Sequence, residues 1–143
     1  LNSVSSAVGS VLAPAGLEKS VGAISTQYGK DPTDKQWEND PAMRDWTAFM
    51  KKYYPDGGLT DAFNVYGYSV AQTLVQVLRQ CGDNLTRENV MKQAASLKDF
   101  STPMALPGIK INTSATDYAP IEAMQLVKFD GTQWVRFGEV LGD

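Results

Sequence analysis

The sequence contains no histidine. That absence removes Ser-His-Asp and Cys-His catalysis, the common zinc sites and the usual proton shuttle at neutral pH. It contains one cysteine, Cys81, so no internal disulfide can form, and the apolar helical face that carries it reads it as a small buried hydrophobe. No apolar run approaches transmembrane length. Neither sign of charge dominates, since 13 Lys and Arg stand against 16 Asp and Glu, a formal net charge of -3. The cations are scattered rather than gathered into a stripe, which argues against a nucleic-acid partner. Glycines are present, but none assembles into G-x-G-x-x-G or a G-x-x-x-x-G-K-S/T loop, so nucleotide binding has no support. Asp31, Asp34, Glu38 and Asp40 form a local acidic group without the alternating ligands and glycine of a calcium loop. They read as a solvated loop with one helix cap, and neither a metal nor any other cofactor is expected.

What remains is the composition of an ordinary soluble domain: 143 residues, 43% hydrophobic and 20% charged. That length can hide roughly two thirds of the unfolded surface. Ser5 to Ala13 reads as a short helix with Val8, Val11 and Leu12 on one side, ended by Pro14 and Gly16. Gly22 to Tyr28 reads as a strand. A polar loop follows from Lys30 to Asn39, in which Trp37 is the residue that wants cover. Asp40 and Pro41 are a helix start, with the aspartate capping and the proline in the first turn. Met43, Trp46, Phe49, Met50 and Tyr53 follow at helical spacing. Thr86 opens a further helix to about Leu97, with Leu85 and Val90 placed as a hydrophobic staple. Beyond Phe100 the prolines prevent regular helix, and Ile109-Lys-Ile111 alternates like a strand. Glu122 to Phe129 and Thr132 to Phe137 flank Asp130-Gly131, a dipeptide that favours a two-residue hairpin turn.

The most informative stretch runs from Asp61 to Gly82. Val70, Ala71, Leu74, Val75, Val77, Leu78 and Cys81 recur at steps of three and four, marking one face of a helix that Gly82 ends. Ahead of them, Phe63, Tyr66 and Tyr68 cluster around Asn64 in an aromatic entry loop. Backbone N–H groups at such a helix mouth can receive a carboxylate. Aromatics preceding a helix ordinarily complete the core beneath it, and the residues alone favour that reading.

Several motifs then occur in a fixed order: Pro14-Ala-Gly16, Gly22 to Tyr28, Lys30-Asp-Pro-Thr33, Phe49-Met-Lys-Lys-Tyr53, the Asp61 helix, Pro107-Gly-Ile109 and Phe129-Asp-Gly131. Together they resemble the C-terminal part of periplasmic solute-binding proteins of the branched-chain amino-acid type, the type I fold. The resemblance implies an α/β fragment of a two-lobed protein with a β-hairpin near its C-terminus. It assigns 1–28 to the end of one lobe and a hinge strand, 29–118 to part of the other lobe, and 119–143 to returning strands and the hairpin. Tyr28 and Gly29 become interlobe hinge residues. Phe63 aligns with an aromatic that contacts ligand, while Asn64 and Tyr66 are neighbours able to fix its polar end, and Tyr68 packs.

The implied activity is binding without catalysis: an extracytoplasmic receptor that delivers a small carboxylate to the permease of an ATP-binding-cassette transporter. The export signal and the N-terminal segment, which in the resembled proteins holds the ligand's carboxylate and ammonium groups, would lie upstream. Ligand identity therefore stays open between branched-chain amino acids and carboxylates such as aromatic acids. A sensor using the same fold for a different output is the alternative, and an enzyme working with carboxylates alone is a third.

Overall fold

The computed structural model describes residues 5–142; the outermost residues of the expected lobe segments, 1–4 and 143, lie outside it. The class is α/β. The expected first helix is instead a π-turn, Val8–Leu12, followed by the one-turn helices α1 (Ala13–Ala15) and α2 (Leu17–Ser20). Pro14 and Gly16, at φ 97°, keep these pieces short. Val8 and Leu12 are buried, but Val11 is 42% exposed, so only part of the expected stripe faces inward.

Strand β1 (Ile24–Gln27) pairs antiparallel with β2 (Met124–Phe129), which pairs antiparallel with β3 (Trp134–Leu141), in the order β1-β2-β3. The C-terminal hairpin is present, with Phe129 opposite Trp134. Its loop holds four residues rather than two. Asp130 Oδ1 accepts from the N–H groups of both Thr132 and Gln133, at 2.8 and 2.9 Å, which closes a wider turn than Asp-Gly alone requires. The register shifts between Gln125 and Val127. There the buried Gln125 side chain donates to the Phe137 carbonyl at 2.7 Å, so the irregularity carries its own hydrogen bond. Val127, Phe129 and Trp134 pack with Val8 and Leu12 into one apolar cluster. The Phe129 and Trp134 rings meet edge to face at 5.4 Å, and the Trp134 indole donates to the Ser6 carbonyl at 3.0 Å.

The helical body begins with α3 (Pro41–Tyr53). Asp40 caps it as expected, accepting from Met43 N–H at 3.1 Å. Met43, Trp46 and Met50 are buried, whereas Phe49 and Tyr53 on the neighbouring side are 41% and 63% exposed. The helix α4 (Ala62–Cys81) ends at Gly82, whose φ of 57° suits a residue without Cβ. The helix α5 (Arg87–Ala94) is capped by Thr86, but Leu85 is 61% exposed, so the expected staple does not shelter it. It also stops three residues before Leu97. Thr113 Oγ1 donates to the Ala94 carbonyl and accepts from Leu97 N–H, taking over groups a longer helix would have paired.

Ile109-Lys-Ile111 forms no strand. Its pairing is a single bridge between Ile111 and Phe100, yet Ile109 and Ile111 are buried. The alternation therefore reports burial of two residues rather than membership of a sheet. Ile109 joins Trp46, Val65, Met104 and Leu106 in one core cluster, and Ile111 joins Val77, Cys81 and Leu97 in another.

Candidate functional site

The aromatic group lies inside α4 rather than in a loop before it. Asp61 caps that helix by accepting from Phe63 N–H at 2.8 Å, which places Phe63, Asn64, Tyr66 and Tyr68 in its first two turns. An amide expected to receive a ligand's carboxylate is thus already held by a carboxylate of the chain. Phe63 and Tyr66 are not core residues either, although aromatics ahead of a helix ordinarily are, while Tyr68 does pack against the core. Phe63 is 78% exposed and Tyr66 56%, while Val65 between them is 5% exposed and points into the core. Helical spacing separates them, since residues 63, 66 and 70 share a face that 65 does not.

Asn64 is half-buried, and its Nδ2 donates to the Gly58 carbonyl at 2.8 Å, fixing the turn ahead of the helix. Tyr68 packs, as expected, with its ring 5.0 Å from that of Phe49. Phe63 and Tyr66 face outward from the first turns of α4, while Asn64 is turned to Gly58. Grooves of about 370 Å³ and 330 Å³ lie elsewhere, one along the hairpin beside Gln36 and Gln125, the other along α3 beside Met43 and Thr47.

Tyr28 follows β1 where the chain leaves the sheet for the helical body. Its carbonyl accepts from Leu106 N–H at 2.9 Å, Gly29 pairs with Ala105, and Lys30 N–H donates to the Met104 carbonyl at 2.9 Å. Burial, and then the adjacent Tyr66 phenol, push the Tyr28 hydroxyl above the ordinary phenol range. A Cβ at Gly29 would meet only the Met104 carbonyl at 3.6 Å, so space does not demand glycine there.

The acidic loop differs most from expectation. Asp31 and Asp34 are 6% and 3% exposed rather than solvated. Asp31 Oδ2 accepts from Val8 N–H at 2.6 Å, and its Oδ1 accepts from the hydroxyl and N–H of Thr33. Asp34 Oδ2 accepts from Trp134 N–H at 3.0 Å and from Gln36 Nε2 at 2.8 Å. Burial raises the Asp34 carboxyl above its ordinary value despite these bonds. At Asp40 burial acts the same way, but the Lys30 ammonium and the Met43 amide outweigh it and hold that carboxyl low. Trp37 finds its cover in the core cluster with Met43 and Trp46, and its ring also lies 5.2 Å from Lys30 Nζ and 5.6 Å from Arg136. Nothing in the local sequence signals these contacts, because Val8 is 23 residues from Asp31 and Trp134 is 100 from Asp34.

Among the described residues no group of three or more Cys, Asp or Glu side chains is placed to hold a metal ion. No helix among them is long and apolar enough to cross a membrane.

The family model for periplasmic binding proteins matches residues 3–133. No curated protein matches the sequence. Among solved structures, a branched chain amino acid ABC transporter from Thermus thermophilus with bound valine shares the fold, with a TM-score of 0.70 at 16% identity. The alignment covers 93% of this chain and 36% of that one, so the chain spans little more than a third of its relative's length.

Proposed function

The chain belongs to the periplasmic binding protein family, and from that premise we propose that it is part of an extracytoplasmic receptor that captures a small carboxylate for an ATP-binding-cassette permease. Phe63 covers the apolar part of the ligand, and Asn64 and Tyr66 approach its polar end. Residues of an upstream segment supply the opposite wall and the groups that hold the carboxylate. No bond of the ligand is made or broken. Tyr28 and Gly29 act as a hinge between lobes, so that closure buries the ligand and creates the surface the permease recognises.

The observation that supports this reading best is Phe63 itself. A phenyl ring 78% exposed in the first turn of a well-formed helix contributes nothing to the core, which supports a role in covering a ligand. The same reading accounts for Val70, Leu74, Val75 and Leu78, which are between 38% and 52% exposed along α4. The upstream segment covers that face in the complete two-lobed protein.

The test is calorimetric titration of the complete protein, upstream sequence included, with valine, leucine and a simple aromatic acid. Phe63→Ala is expected to raise Kd at least about tenfold, a loss of about 1.4 kcal/mol. Unchanged affinity for every ligand that the parent binds would remove Phe63 from the site.

A further inference from the structure

Strand β3 is an edge of the sheet, and among the described residues no strand pairs with its outer side. Its backbone groups alternate between β2 and that outer side. Phe129 donates its N–H to the Ala23 carbonyl and accepts from Gly22 N–H, so Trp134 opposite it points both of its own groups away from β2. The connector meets them there: Trp134 N–H donates to Asp34 Oδ2 at 3.0 Å, and its carbonyl accepts from Gln36 Nε2 at 2.7 Å. Two side chains thus take the place of a paired strand at the first residue of β3. Two residues on, Arg136 stands opposite Val127, which pairs with Ser25 of β1, so the N–H and carbonyl of Arg136 also point outward. Among the described residues no side chain meets them. A groove of about 370 Å³ opens along this stretch beside Gln36, Gln133 and Gly138, and Arg136 is the one charged side chain among the described residues that line it. Its guanidinium lies 5.6 Å from the Trp37 ring and makes no ion pair with any described residue.

We propose that the outer edge of β3 is a docking surface for an extended segment of a partner protein, which adds a strand beside Arg136 and sets an aspartate or glutamate opposite it. Main-chain hydrogen bonds to the open N–H and carbonyl of Arg136 supply the pairing, as in recognition by strand addition. A residue directly across such a pair has its Cβ about 5 Å away on the same face, where a carboxylate meets a guanidinium that has no other anion. On the other face Val135 and Phe137 are 44% and 40% exposed, so the residues flanking that carboxylate are apolar. The partner strand ends at Trp134, because Asp34 and Gln36 already fill that position. It runs instead toward Gly138, where nothing stands within 4 Å of the point at which a side chain would begin. A second copy of this chain fits the edge poorly: paired in register about Arg136, it would set two guanidiniums against each other. The edge lies on the hairpin and Phe63 on α4, so the docking surface and the ligand site can fail separately.

The probe is a fluorescein-labelled peptide of sequence threonine-valine-glutamate-valine-threonine, titrated by anisotropy against the complete protein, upstream sequence included. It is expected to bind, and Arg136→Gln is expected to raise its Kd at least about tenfold, the scale of one lost hydrogen bond to a charged group. Arg136 is exposed, so that variant keeps the parent's far-ultraviolet circular dichroism. Lysine in place of the peptide's glutamate is expected to weaken binding as much, and methylation of the glutamate's backbone nitrogen to abolish it. Hydrogen exchange at the Arg136 amide, whose signal Arg136→Gln identifies, slows when the peptide binds. Absence of binding at millimolar peptide would overturn the docking surface. Equal binding of the methylated peptide would do the same, because charge alone would then hold it. Displacement of the peptide by free glutamate would make the groove a small-molecule site, and a sedimenting dimer that the peptide dissociates would make the occupant a second copy; either result overturns the proposal.

Discussion

Asp34 accepts a hydrogen bond from the backbone N–H of Trp134 at 3.0 Å, joining a connector near the start of the chain to the first residue of its last strand. The carboxylate is nearly fully buried, and the Trp134 ring beside it is one of the largest buried side chains. Removing either partner strands a polar group where water does not reach. Such a contact makes stability depend on pH as well as on packing.

The folded Asp34 carboxyl is raised above its ordinary 3.8, first by burial. Between 3.8 and the raised value the folded chain binds more protons than the unfolded one, so the Asp34 contribution to stability falls as pH rises through that window. Asp40 has the opposite sign: held low by Lys30 and Met43 against its own burial, it stabilises the fold above its ordinary value, and this is lost as pH falls through its folded value. Urea unfolding of parent, Asp34→Asn and Asp40→Asn from about pH 3 to 7 separates the two contributions. The decline above 3.8 is expected to weaken in Asp34→Asn alone. An identical profile for that variant and the parent would contradict the raised value.

Gly9 has no room for a side chain. A Cβ there would lie 2.7 Å from the Thr33 methyl, and Thr33 is held in place by Asp31. Gly9→Ala is expected to cost about 1–3 kcal/mol in urea unfolding, the usual range for overpacking. Adding Thr33→Ser, which keeps the hydroxyl and deletes the methyl, restores most of that loss if the clash is its cause.

Val77 and Leu74 sit one turn apart on α4 with opposite surroundings, 4% and 52% exposed. Val77→Ala is expected to cost about 1–3 kcal/mol from lost burial and cavity formation. Leu74→Ala is expected to stay within about 0.5 kcal/mol, as at other surface positions. An equal cost at both would mean that this face is covered in solution, which sedimentation of the same samples would show as association.

Phe63→Ala is expected to leave the unfolding midpoint within about 0.5 kcal/mol of the parent, because so exposed a ring has little burial to lose. A large loss of stability would return Phe63 to the core and withdraw the wall.

Local chemistry made much of the fold legible. Asp40 with Pro41, Thr86 and Gly82 are caps whose partners lie within a turn, and each appears where its side chain or its lack of one requires. The strand around Ile24–Gln27 was expected, and the two arms of the hairpin followed from the runs that flank Asp130-Gly131. The helix face from Val70 to Cys81 was legible as a pattern, but its burial was not. Periodicity says which residues share a side, while a packed neighbour decides whether that side is covered.

The same division holds for the candidate site. Sequence alone determined the absence of histidine chemistry, the caps, the helical spacing and the order of motifs, because each depends on residue types or on neighbours within a few positions. Tertiary structure alone decided that Phe63 faces solvent while Val65 is buried, that the Asp61 carboxylate already occupies the first turn, and that Asp31 and Asp34 are internal. An aspartate in a polar loop looks the same in sequence whether water or a distant amide satisfies it. Here the amides come from Val8 and Trp134, and only folding brings them within 2.6 and 3.0 Å.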